Sequence, residues 1–323
     1  MTKRLLLDVP LRPAVGSRFQ PTGFPDIGAA LFQRPCVLPD GTNGWQDALL
    51  VESAQSMANR LEATAWDPAE DRPVALFDGL PYVRVVREDD GGYLTSSRTE
   101  AHRLAAAFVK DATLAGQSVK QVIGERLGLK DDTPLPARQI AKAVFALDPF
   151  CLLHGVFFAD KEWPGQPKIS RAITGFVEAF DVARADSGGV KKDHVRHSLS
   201  DDSGGTAEGY GTVPYHRTEW TAQHIVASFA VDLRQIAAYG LGAAATDLLA
   251  SIAQWEILTL LDQGLRLRTA CDLVEAVDVE QIGLPDIATL EDQIRDGIGQ
   301  CSDLLGEGEP IEVRWSSKKK AKA

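Results

Sequence analysis

The chain has 323 residues, 44% hydrophobic and 24% charged, which is ordinary for a globular protein and enough for one large core or two domains. Asp and Glu outnumber Lys and Arg by 45 to 34, and the net charge of −11 excludes a uniformly basic nucleic-acid binder. The four cysteines, Cys36, Cys151, Cys271 and Cys301, form no Cys-x-x-Cys pair, which argues against a zinc knuckle or a disulfide scaffold and suits a reducing cytoplasm.

In chain order, Arg4 to Arg12 alternates, with Leu5, Leu7, Val9 and Leu11 on one side, the pattern of a half-buried strand. The opening MTKRLLLDVPLRP has no apolar run of signal-peptide length. Gly and Pro in GSRFQPTGFPDIG (Gly16 to Gly28) exclude regular structure. Asp47 to Ala65 reads as a helix with an apolar stripe on Leu50, Ala54, Met57, Ala58, Leu61 and Ala65, and Gln55, Ser56 and Arg60 lie off or beside it. Asp67 to Asp78 is acidic and broken by Pro, a surface loop. Ser97 and Glu100 have capping-box spacing and predict a helix over Thr95 to Phe108, with Arg98, His102 and Arg103 in its first turns. Ser118 and Gln121 repeat the device before Leu127. Cys151 to Phe158 reads as a buried strand, hairpinned to Ile169 to Phe180.

Ser187 to Trp220 is different. It is Gly-rich and without apolar periodicity, and it carries Lys191, Lys192, Arg196 and Arg217 with Tyr210 and Tyr215. Long loops without structure are functional or disordered. Bases interleaved with aromatics suit an arm that grips a polyanion. His224 to Leu233 alternates as a strand. Gly242 to Asp262 reads as a helix stopped at Gly264; Asp247, Gln254 and Glu256 interrupt it, so it is a core helix rather than a membrane span. Leu265 to Leu273 alternates again. Val274 to Glu309 holds ten acids against Arg295, a local charge of −9, which leaves −2 for the rest of the chain; Leu290 to Leu305 within it reads as a helix. Ser316 to Ala323 is a basic tail expected to be disordered.

With the insertions removed, the order is strand, helix, strands, strand, helix, strand. That is an α+β class with a ferredoxin-like β-α-β-β-α-β core, the topology of the RNA-binding RRM.

Several residues carry candidate chemistry. Arg266 and Arg268 lie two apart on one strand and share a sheet face suited to phosphates; the plain alternative is a solvated face with salt bridges. Phe19, beside Arg18, can stack on a base or plug the core, and Phe24, between Gly23 and Pro25, reads as a plug. His216 with Arg217 and Glu219 suits acid–base chemistry or a ligand contact. His194 and His197 lie three apart without a nearby third ligand, which disfavours zinc. No phosphate-binding glycine motif, dinucleotide fingerprint or nucleophile elbow is present. Asp26 is the best lone carboxylate for metal-assisted RNA cleavage, yet such sites usually assemble several oxygen ligands.

Taken together, GSRFQPTGFPDIG, LLVESAQSMANRLE, TSSRTEAHRL, LLHGVFF, SGGVKKDHV, EGYGTVPYHRTEW and GLRLRTACDL resemble the backbone subunit of type I-G (formerly I-U) CRISPR effector complexes, the GSU-type branch of the Cas-seven family in the RAMP superfamily. The resemblance spans Arg4 to Leu273 and implies an RRM-like palm with insertions, helical fingers over about 66–150 and a β-hairpin thumb over about 187–220. An acidic helical segment follows over 274–315 and the basic tail over 316–323. It implies a non-catalytic cytoplasmic protein without cofactor or metal. Its expected partners are CRISPR RNA, target DNA through guide pairing, head-to-tail copies of itself and other effector subunits, with no membrane. The expected RNA contacts are Ser17, Arg18, Phe19, Gln20, Gln55, Ser56, Arg60, Arg98, Arg103, Lys191, Lys192, His194, Tyr215, His216, Arg217, Arg266 and Arg268. The alternative is a RAMP-type RNA endonuclease using Asp26, and a third reading is a metabolic α+β enzyme. The leading reading requires cations scattered along the chain to converge on folding.

Overall fold

A computed structural model of the chain describes residues 3–24, 26–191, 213–277, 282–306 and 308–317. Strands β1 (Leu5–Pro13), β2 (Leu31–Val37) and β3 (Asn43–Glu52) precede helix α1 (Ala54–Thr64). Strands β4 (Val83–Arg87) and β5 (Tyr93–Ser96) follow, then helices α2 (Val119–Leu127), α3 (Ala137–Leu147) and α4 (Phe150–His154). The 19-residue strands β6 (Ile173–Lys191) and β7 (Val213–Val231) come next. Helix α5 (Ala243–Asp262), strands β8 (Leu265–Arg268) and β9 (Cys271–Glu275), helix α6 (Ile287–Gln300) and strand β10 (Ile311–Trp315) complete the order. The protein is mixed α+β.

The main sheet has seven strands in the order β8-β9-β1-β7-β6-β3-β2, every neighbour antiparallel. Alternation in β1 is as predicted: Leu7, Val9 and Leu11 are buried, while Leu6, Asp8, Pro10 and Arg12 are exposed. The buried face continues through Val177 and Ala179 of β6 and Ile225, Ala227 and Phe229 of β7, and helices α1 and α5 cover it. Gly175 is needed there, because a Cβ would sit 2.6 Å from the Phe229 ring. A second sheet pairs β10 in parallel with β4, flanked by β5 and by short strands at Thr113–Leu114 and Gln117–Ser118. Most of α5 is buried, as expected of a core helix.

Five expectations are corrected. The helix predicted from Asp47 starts at Ala54: Ser53 caps it, its Oγ accepting from the Ser56 N–H at 3.2 Å, while Ala48, Leu49 and Val51 are buried in β3. No long helix fills Thr95 to Phe108. Thr99 Oγ1 accepts from the Ser96 N–H, and Ser97 Oγ donates to Asp148 and accepts from the Val83 N–H. Such side-chain bonds to the backbone compete with helix formation. Cys151 to Phe158 is largely α4, ended by Gly155 at φ +81°, and only Val156–Phe157 pairs with Lys168–Ile169; the true partner of β6 is β7. Leu265 to Leu273 is a hairpin, Leu265 facing Leu273. Ser118 makes no side-chain cap bond. The tail from 318 onward lies outside the described residues.

The arm is less irregular than its composition implies. β6 and β7 stay in one register from Ile173↔Val231 out to Lys191↔Val213, so Ser187–Lys191 and Val213–Trp220 are the outer half of a long ribbon. Lys192, His194, Arg196, His197 and Tyr210 lie outside the described residues.

Candidate functional site

The first loop is fastened to this ribbon. Phe19 is fully buried and exchanges both backbone hydrogen bonds with Trp220, at 2.9 and 2.8 Å. Phe19 is therefore core and does not meet a base. Phe24, expected to plug the core, is 68% exposed, where Gly23–Phe24 pairs with Gly28–Ala29 in a tight turn. Next to Phe19, Arg18 reaches Glu219 of β7 at 3.4 Å. The Gln20 N–H donates to the Ala270 carbonyl at 2.7 Å, and the Gln20 carbonyl accepts from Arg268 Nη1 at 2.7 Å. Ser17 is exposed.

Between loop and ribbon lies an open cleft of about 860 Å³. Gln20, Phe24, Arg184, His216, Arg217 and Arg268 line it with Trp220, and among the described residues no Asp or Glu does. Charges on the neighbouring ribbon position are lightly held. Arg184 Nε lies 3.0 Å from Asp186 Oδ1, and His216 Nε2 lies 3.9 Å from the same oxygen. Arg217 Nη1 is 3.8 Å from Glu219, and its guanidinium sits 5.6 Å from the centre of the half-exposed Tyr215 ring. An exposed pair such as Arg184–Asp186 contributes little, so Arg184 is available to an incoming anion, whereas Arg217 faces the largely buried Glu219 at a long 3.8 Å. Trp220 Nε1 is buried without an acceptor.

Behind Arg268, buried Glu52 accepts from Arg60 Nε at 2.9 Å and from Arg268 Nη2 at 2.6 Å. Arg60 also donates to the Leu267 carbonyl, and Arg268 to the Val51 carbonyl. Both guanidiniums are held in place; Arg268 stays part-exposed and on the cleft wall. Cys271 follows on β9, and burial, against the pull of Arg268, pushes its thiol up to about 11. Arg266 is exposed two residues from Arg268.

Of Arg18, Lys191, Arg266 and Arg268, whose convergence the leading reading requires, only Arg268 lines the cleft. Gln20, His216, Arg217 and Arg268 meet in the cleft, with Arg18 and Tyr215 beside Glu219 and Arg217. Lys191 is exposed farther out on the same ribbon, four register pairs beyond Ser187↔Arg217. Gln55 and Ser56 sit in the first turn of α1, away from the cleft lining. Arg98 and Arg103 are corrections. Arg98 is buried, its Nε 2.6 Å from Asp148 and its guanidinium stacked 3.6 Å from the Phe150 ring centre. Arg103 is buried against Glu62, with two bonds of 2.6 Å. Burial opposes its charge, yet Glu62 outweighs that and holds its pKa above the ordinary arginine value. Both tie loops to the core. Arg184 and Trp220 were missed as site residues. Their signal was the ribbon register, which sets Arg184 opposite Trp220.

A family model described as CRISPR-associated protein GSU0053 (Cas_GSU0053) matches residues 5–184, more than half of the chain. The chain belongs to this family. It is the GSU-type branch that the sequence segments resemble, and the match takes in the first loop and β6 as far as Arg184. Arg217, Arg266 and Arg268 of this GSU-type protein lie beyond the matched span. No curated protein matches the chain. Among solved structures, the chain is similar to one described as "CRISPR RNA-guided surveillance complex, pre-nicking", at 8% identity and a TM-score of 0.35, over 97% of this chain and 95% of that one.

Proposed function

We propose that this CRISPR-associated protein is the guide-RNA-binding backbone subunit of a type I-G effector complex. The observation that carries the reading is the cleft: Arg184, Arg217, Arg268 and His216 gathered with Phe24 and Trp220, with no lining carboxylate among the described residues, in a chain of net charge −11. Lys and Arg contacts to sugar and phosphate accept any guide sequence, and target sequence is then read by base pairing with the guide. The sheet order β9-β1-β7-β6, with α1 and α5 on one face, supports a ferredoxin-like, RRM-like palm. The ribbon beyond the sheet supports a thumb, and the segment about 66–150 takes the place of fingers. Copies stack head to tail along the guide in the cytoplasm, an open heterologous assembly. The role is a scaffold without catalytic residues.

The test is single-stranded RNA binding by the full-length chain, read by fluorescence anisotropy over a salt series. Arg184→Gln with Arg217→Gln weakens binding to all sequences alike and flattens the salt dependence by about 0.7 per lost phosphate contact. Wild-type protein that binds no RNA at low salt overturns the reading.

A further inference from the structure

A second cleft, of about 410 Å³, shares no residue with the first. It opens between the first turn of α1, the turn before Arg103, and the short strands Val156–Phe157 and Lys168–Ile169. Gln55, His102, Arg103, Phe157, Lys168 and Arg171 are on its wall, which among the described residues holds no Asp or Glu. Arg103 is committed to Glu62. Arg171 is not committed: its one hydrogen bond is a long one from Nη1 to the Ala54 carbonyl, 3.4 Å, and it forms no ion pair among the described residues. It is part-buried all the same, and burial together with the Arg103 charge pulls its pKa below the ordinary arginine value. The Arg103 charge repels this guanidinium and Glu62 offsets only part of the loss, so an anion entering the cleft would stabilise it further.

Two further observations point the same way. Lys168 is exposed, also without an ion pair among the described residues, and its Nζ lies 5.8 Å from the centre of the Phe157 ring, which is 49% exposed. Behind them His154 is buried, its Nε2 3.0 Å from Glu256 and its Nδ1 without a partner. A part-buried guanidinium without an ion pair among the described residues, an exposed lysine and a half-exposed ring beside it match the combination that single-stranded nucleic acid selects: charge for the phosphate, a flat face for the base.

We infer that this cleft is a second phosphodiester site, in which Arg171 and Lys168 bind one or two phosphates and Phe157 packs on the adjoining base or sugar. The inference rests on the RNA-binding reading above and adds a contact surface separate from the ribbon cleft. The phosphate belongs either to the guide or to the paired target strand, and the two sources separate by experiment.

Lys168→Gln is the primary variant, since an exposed lysine without partners is replaceable without loss of fold; Arg171→Gln is the second, accepted if its melting temperature stays near wild type. Each is measured twice as the full-length chain: loading of a single-stranded RNA, and capture of complementary DNA by chain already loaded with RNA. A loading curve whose salt dependence flattens by about 0.7 per variant places the guide phosphate here. Unchanged loading with weakened, less salt-sensitive capture places the target phosphate here. Wild-type RNA binding with both variants unchanged in both assays overturns this cleft alone. Failure of the wild type to bind RNA overturns this site and the function reading together.

Discussion

Phe19 and Phe24 stand five residues apart in one loop, and their flanking residues do not reveal which of them is buried. Phe24 has Gly and Pro beside it, which reads as a buried plug, but a tight turn between Gly23–Phe24 and Gly28–Ala29 throws it into solvent. Phe19 has Arg18 and Gln20 beside it, which leaves a base contact and a core plug both open, and its backbone is paired with Trp220 and its ring is fully buried. Phe19→Ala removes a fully buried ring and should cost about 3–5 kcal/mol in urea denaturation. Phe24→Ala should shift stability by no more than about 0.5 kcal/mol. Equal losses would show that the loop is seated differently. Arg98 and Arg103 follow the same logic: basic residues near a predicted cap look available, and only the positions of Asp148 and Glu62 reveal that they are internal ties.

At the scale of elements, side chains far apart in sequence clamp the insertions to the core. Asp160 receives Lys110 Nζ at 2.7 Å, the Glu162 N–H at 3.0 Å and Lys120 Nζ at 3.0 Å, and so links the short helix Ala107–Lys110 and α2 to the loop after Phe157. The Lys110 bond first, then the Glu162 N–H and Lys120, hold its carboxyl well below the usual carboxylate range. A depressed folded-state pKa stabilises the fold above the unfolded pKa, near 3.9, and that contribution is lost as pH falls through the folded value. Asp160→Asn should therefore lower the urea midpoint at pH 7, and the gap to wild type should narrow as pH drops below about 4. A gap independent of pH would remove the carboxylate from the account. The ribbon is the other element-scale lesson. Its outer half lacks apolar alternation because, past Phe180 and Ala222, the two strands have among the described residues no sheet neighbour except the bridge to Phe19. With no core to face, Gly188, Gly189 and the charged residues keep strand geometry without a strand's hydrophobic signature.

Across the whole molecule, charge is segregated. The stretch Val274 to Glu309 carries −9, while Leu290 and Ile294 of α6 are buried on the side that packs on α5, and Glu291 and Asp292 share Arg295 at 2.9 and 3.0 Å. An acidic face on one copy can meet a basic face on the next. Glu291→Gln with Asp292→Asn should shorten the assemblies formed on a long guide, measured by analytical ultracentrifugation, while leaving single-copy RNA affinity unchanged; the reverse pattern would refute an assembly role. Residue order alone was sufficient for the α+β class, the β1 strand, the α5 core helix and the split between an acidic end and a near-neutral body, because each is a local pattern of periodicity or composition, and the family resemblance rested on the ordered likeness of whole segments. Which arginines face a ligand was decided only in three dimensions. Arg98, Arg103, Arg184 and Arg268 carry the same charge in similar local settings, and their fates diverge according to whether a carboxylate, a carbonyl or open space lies opposite once distant strands pair.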